Sequence, residues 1–133
     1  MIRTISIPYY TSSMDLHVEE KNLKTVITAK TEDYVPEKSP KELIEDALEH
    51  PIGTPKLSEL AKGKNKVVLV TSDHTRAVPS RLTLPILLKE IRKGNPDADI
   101  IILIATGLHR ETTEEEQRRM FGDDIVDHEK ISV

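Results

Sequence analysis

Two uninterrupted apolar runs dominate the second half of the chain, Val67-Val68-Leu69-Val70 and Ile100-Ile101-Ile102-Leu103-Ile104-Ala105. Runs of this kind, rich in β-branched residues, predict strands buried on both faces of a parallel sheet. Between them Leu84, Leu87, Leu88 and Ile91 recur at the spacing of one helix face, and Gly94-Asn95-Pro96 stops the pattern. Pro85 either starts this helix or kinks it. After the second run, Thr112-Thr113-Glu114-Glu115-Glu116 reads as a helix N-terminus. It offers a hydroxyl cap, a glutamate to close a capping box and an acidic first turn at the positive end of the helix dipole. Gly122 is the expected C-cap, and Lys130-Ile131-Ser132-Val133 reads as the start of a further strand. The order strand, helix, strand, helix predicts a parallel α/β unit with right-handed crossovers.

The first half is more broken. Residues 4–10, 14–18 and 23–29 are short β-prone stretches, and in the second Met14, Leu16 and Val18 alternate with Asp15, His17 and Glu19. Lys21-Asn22 is the expected hairpin turn between the last two. After a loop over residues 34–38, Ser39-Pro40-Lys41-Glu42 combines a capping box with proline at the first helical position. Leu43, Ile44, Ala47 and Leu48 continue that helix until His50-Pro51. Leu57, Leu60 and Ala61 predict a short helix closed by Gly63. The fold class is therefore α/β: a three-layer-like parallel or mixed sheet with flanking helices and an N-terminal β-hairpin region. The expectation is one domain over residues 1–133, forming part of a longer two-domain protein.

Composition narrows the chemistry. The balance of 19 Lys+Arg against 23 Asp+Glu, 19 − 23 = −4, offers no basic face for a phosphate backbone. Tyr9, Tyr10, Tyr34 and Phe121 are the only aromatics, too few for base-stacking platforms. Nucleic acid is thus not an expected partner. The absence of cysteine excludes disulfides, thiolate metal sites and a cysteine nucleophile. The apolar run from Ile100 to Ala105 is the longest, far short of the roughly 20 residues of a membrane span. With no signal-peptide pattern at the N-terminus, a cytoplasmic domain without membrane contact is expected.

Ligands of open parallel sheets bind beyond the carboxyl ends of the strands. Two loops hold that position, Thr71-Ser72-Asp73-His74-Thr75-Arg76 and Thr106-Gly107-Leu108-His109-Arg110. If the two strands are neighbours, the loops lie side by side and bring Asp73, His74, Arg76, His109 and Arg110 to one ligand. They offer guanidinium groups and hydroxyls for an anion, an imidazole for proton transfer and a carboxylate. Plainer roles compete at each position. Asp73 can cap its own turn or pair with Arg76, His74 can face solvent, and Arg110 can pair with the acidic helix start at Glu114–Glu116. His109 can cap or bond backbone, and His17, His50 and His128 lack supporting neighbours. There is no P-loop, G-x-S-x-G elbow or H-E-x-x-H helix. The residues alone describe an anion-binding α/β domain with a histidine acid/base.

Taken together, Ser72-Asp73-His74-Thr75-Arg76-Ala77-Val78-Pro79, Ala105-Thr106-Gly107-Leu108-His109-Arg110, the Thr112–Glu116 helix start and Phe121-Gly122 resemble the N-terminal domain of the nickel-dependent lactate racemase (LarA-like) family. That family's pattern is an S-D-x-T-R-P-x-P loop, then an A-x-G-x-H-R loop, a T-x-E-E helix start and a phenylalanine-glycine pair. Ala77 departs from its usual proline and Leu108 from a common threonine. The resemblance implies racemisation or epimerisation of a 2-hydroxy acid with a nickel-pincer nucleotide, through a planar 2-keto acid. It implies that His109 is one of two acid/base histidines and that Arg76 holds the substrate carboxylate. Asp73 would support the cofactor or orient its neighbours, and Thr71, Ser72 and Thr75 would help to hold the cofactor phosphate. It places the cofactor-linking lysine, the nickel-ligating histidine and the second acid/base histidine in a C-terminal domain beyond these residues, so no metal ligand is assigned here. On that reading the chain is one half of an isomerase, inactive alone. The alternatives are a non-catalytic module binding phosphate or carboxylate through the same loops, and a hydrolase metal site built on Asp73, His74 and His109.

Overall fold

The computed structural model describes residues 1–133, the side chain of Glu32 excepted. The chain forms two compact units, Met1–Pro36 and Glu37–Val133.

In the first unit, β1 (Ile2–Tyr9) and β2 (Ser12–Glu19) form an antiparallel hairpin. The register sets Ile5 against Leu16 and Ile7 against Met14, so these apolar residues share one face. The hairpin turns at Tyr10-Thr11, with Tyr10 in the left-handed region at φ 52°. The expected turn at Lys21-Asn22 is incorrect: Glu20–Asn22 is a single 3-10 turn, and residues 23–29 form no strand. The true turn lacks the Gly or Asn that usually marks such a bend. The β-prone stretch at 23–29 finds no neighbouring strand, and propensity without a partner makes no ladder.

The second unit contains α1 (Pro40–Glu49), α2 (Leu57–Ala61), β3 (Lys66–Ser72), α3 (Ser80–Gly94), β4 (Asp99–Ala105), α4 (Glu114–Phe121), α5 (Asp123–His128) and β5 (Lys130–Ser132). The three strands are parallel, in the order β3-β4-β5. The predicted α/β class, with its parallel sheet, flanking helices and N-terminal hairpin, is thus observed. Both capping boxes form, Ser39 with Glu42 and Thr113 with Glu116. Gly122, at φ 93°, ends α4 and directly precedes α5, a helix the sequence pattern did not reveal. Pro85 does not start α3, which begins at Ser80 and runs through it.

One face of the sheet carries Val67, Leu69, Ile100, Ile102, Ile104 and Ile131, and the core forms there against Leu84, Leu88 and Ile91 of α3 and Phe121 and Ile125 beyond β4. On the other face Val68, Val70 and Leu103 are exposed. The expected burial of these strands on both faces therefore holds on one only, because every helix residue of the core packs on the same side. No helix among the described residues is long and apolar enough to cross a membrane.

Candidate functional site

Strands β3 and β4 are immediate neighbours, and Ser72 lies opposite Ala105 at their carboxyl ends. The two loops that follow therefore leave the sheet side by side, as parallel pairing requires. They line a cleft of about 490 Å³, with Thr71, Ser72, Asp73 and Arg76 from one loop and Gly107 and His109 from the other. Gly107 takes φ 59°, a left-handed conformation that glycine adopts without strain. The turn closes through the His109 amide donating to the Thr106 carbonyl at 3.0 Å, which carries the His109 side chain back toward β3.

Asp73 is the pivot of the cleft. It is 2% exposed, and each carboxylate oxygen is engaged. Oδ1 accepts from the Thr75 amide at 3.1 Å and the Thr75 hydroxyl at 2.6 Å, while Oδ2 lies 2.5 Å from Nδ1 of His109. Asp73 thus caps its own turn with one oxygen and meets His109 with the other. The Thr75 hydroxyl, assisted by His109, outweighs burial and brings the Asp73 carboxyl down to about 2. An ionised carboxylate can only accept, so Nδ1 of His109 is the donor in this contact, which leaves Nε2 as the ring nitrogen free to face a ligand. The alternative Asp73–Arg76 pair is absent. Arg76 is exposed and makes no ion pair among the described residues, leaving an uncompensated cation at the cleft.

The hydroxyls divide. Thr71 Oγ lies 3.2 Å from Ser80 Oγ and ties the end of β3 to the start of α3. Thr75 is committed to Asp73, and Ser72 makes no side-chain hydrogen bond among the described residues. His74 does not face solvent as the plain reading had it. Its Nδ1 lies 3.2 Å from Thr112 Oγ and 3.8 Å from Glu116, and its side chain is 14% exposed. Arg110 does pair with the acidic helix start, through a two-pronged contact to Glu116 at 2.7 and 2.9 Å. His50 and His128, bonded to Asp46 and Asp124, do not line the cleft, and His17 bonds to Thr4 within the first unit. No three His, Asp or Glu side chains converge as metal donors among the described residues, so the hydrolase metal site on Asp73, His74 and His109 is not formed. Sequence reasoning passed over Thr112, buried at 3%, and the second role of Glu116. The position of Glu116 in its capping box was the only visible signal.

The Asp73 carboxyl gives a pH prediction. Its folded value, about 2, lies below the ordinary 3.8, so folding favours the ionised form. That contribution is complete above about pH 4 and lost as pH falls through about 2. Urea midpoints should therefore decline over this window, and Asp73→Asn should flatten the decline. Glu116 is also held well below the usual carboxylate range, by Arg110 first and the Thr113 amide next, so the flattening should be partial.

Three comparisons bear on this arrangement. The family described as the lactate racemase N-terminal domain matches residues 9–133. A lactate racemase from Thermoanaerobacterium thermosaccharolyticum is 46% identical over 129 residues, covering 97% of this chain and 30% of that protein. A lactate racemase from Lactiplantibacillus plantarum is 42% identical over 127 residues, covering 96% of this chain and again 30% of the relative. The structure of the lactate racemase apoprotein from Thermoanaerobacterium thermosaccharolyticum superimposes with a TM-score of 0.83 at 44% identity, over 98% of this chain and 30% of that one. The chain therefore spans about 30% of the length of the relatives it matches.

Proposed function

This chain belongs to the lactate racemase N-terminal domain family, and from that membership we propose that it forms one wall of the active site of a 2-hydroxy-acid racemase or epimerase. The observation that carries the proposal is the coupling of buried Asp73 to Nδ1 of His109 beside an unpaired Arg76 in one cleft. With Nδ1 occupied, Nε2 of His109 takes the proton of the substrate hydroxyl and returns it, as a general base and then acid. Asp73 holds the tautomer and stabilises the imidazolium that forms, the part a buried carboxylate plays in hydrolytic triads. Arg76 binds the substrate carboxylate, which a planar guanidinium can grip with two parallel hydrogen bonds.

The donor set also fits a phosphorylated cofactor. Ser72 and Thr71 lie at the strand end, the Ser72 hydroxyl without a side-chain bond among the described residues, and Thr75 supports the same loop through Asp73. When bound, the nickel-pincer nucleotide supplies the hydride acceptor and donor at the substrate carbon. The residues that complete its site, and a second acid/base, come from the C-terminal part of the longer protein, so this chain alone is inactive. The protein works in the cytoplasm.

The test is an assay of the full-length protein, loaded with cofactor, for interconversion of D- and L-2-hydroxy acids, with this chain alone as the inactive comparison. Arg76→Lys keeps the charge but loses the fork. It should raise KM by roughly tenfold or more, the worth of one charge-assisted hydrogen bond. An unchanged KM would remove Arg76 from the carboxylate.

A further inference from the structure

Outside the cleft, one carboxylate is bonded more heavily than its local role requires. Glu116 closes the capping box of α4: the Thr113 amide donates to Oε2 at 2.9 Å, and the Glu116 amide donates to the Thr113 hydroxyl at 3.3 Å. That box alone needs one carboxylate oxygen. Here Oε1 and Oε2 also receive both prongs of Arg110, at 2.7 and 2.9 Å, and Nδ1 of His74 lies 3.8 Å from Oε2. The Glu116 and His74 side chains are each 14% exposed, while Arg110 reaches Glu116 from the solvent side at 60% exposure. Arg110 follows His109 directly in sequence, and His74 follows Asp73 directly.

We infer that Glu116 is a positioning residue for the acid/base pair, clamping the residue after His109 and the residue after Asp73 to one rigid helix start. The inference rests on the reading of His109 as acid/base. The physical need is plain from the topology. The loop from Ala105 to the start of α4 has no regular structure, and its tip at Leu108 is fully exposed. Without an anchor, the imidazole would sample positions away from Asp73 Oδ2. Glu116 supplies that anchor through Arg110, and His74 on the opposing loop is bonded by Thr112 with the same carboxylate 3.8 Å away. None of His74, Arg110 or Glu116 lines the cleft, so the group acts on geometry without touching substrate.

The experiment uses the full-length, cofactor-loaded protein with Arg110→Ala and Glu116→Gln. Arg110→Ala leaves the helix cap intact and remains informative if Glu116→Gln misfolds. Loosening a reacting group by about 1 Å can cost up to about a hundredfold. The expected result is a ten- to hundredfold fall in kcat with KM within about twofold, and 15N spectra of labelled histidine showing His109 losing its single Nδ1-protonated form. Wild-type kcat with a lowered melting temperature would make the clamp merely structural and overturn the inference. A raised KM with unchanged kcat would make Arg110 a substrate ligand and also overturn it. His109→Ala is assayed in parallel. If that variant retains turnover, the acid/base reading fails, while the tautomer spectra still decide whether Glu116 positions His109.

Discussion

Replacing His109 with alanine in the full-length protein is expected to lower racemisation by about 10²- to 10⁴-fold, the usual contribution of a positioned acid/base. The magnitude follows from how the imidazole is held. Asp73 is buried, both its oxygens are engaged, and Oδ2 faces Nδ1 of His109. On the proposed mechanism the reacting nitrogen is Nε2, and the alanine variant removes this domain's acceptor for the substrate's hydroxyl proton. KM should move little, because substrate binding is assigned to Arg76. Asp73→Asn should reproduce much of the loss, since an amide presents a donor or an acceptor to Nδ1 and no longer enforces one tautomer. Turnover near that of the wild type in His109→Ala would remove the histidine from the mechanism. Full activity in Asp73→Asn with a dead His109→Ala would leave His109 in place and remove only its orienting partner.

The second large effect is on stability. Gly94→Ala should destabilise the Glu37–Val133 unit by about 2 kcal/mol net or more, measured by chemical denaturation. Helix propensity alone would have alanine stabilise the position by about 1 kcal/mol. Space decides otherwise: a Cβ at Gly94 would lie 1.8 Å from the Ser58 carbonyl oxygen and 2.5 Å from its carbon, both backbone atoms of α2. The backbone of Gly94 is not in the left-handed region, so the glycine is needed for close approach and not for conformation. Asn95 continues the same seam, donating to the carbonyls of Ala61 at 3.0 Å and Lys64 at 2.8 Å. To admit a methyl group, α3 must separate from α2 and loosen this contact. Gly107→Ala is the contrasting case. Nothing lies within 4 Å of its added Cβ, so only the strain of φ 59° remains, about 1 kcal/mol. If Gly94→Ala proves the milder of the two, the close packing of α2 on α3 is not what requires glycine.

Legibility in the sequence followed the range of the forces. The capping boxes at Ser39 and Thr113, the helix end after Gly94 and the strands β3 and β4 rest on neighbours a few residues apart, and all were readable. The hairpin was misplaced because Tyr10-Thr11 turns without glycine or asparagine, and Leu23–Ala29 has strand propensity but no partner. Gly94 looked like a stop signal, and only its distance to Ser58 shows a packing role.

The candidate site divides along the same line. That Asp73, Arg76 and His109 sit in two loops after two strands is a property of residue order, and the family resemblance was visible in those loops. Residue order also suffices for the pairing of Arg110 with Glu116, because a long cation and an acidic helix start lie six residues apart. It could not decide that Asp73 meets Nδ1 of His109, 36 residues away, nor that His74 turns to Thr112, 38 residues away. Those contacts exist because β3 and β4 pair directly, with Ser72 opposite Ala105, and so place the two loops within hydrogen-bonding reach. Local chemistry chose the side chains; strand pairing chose which of them meet.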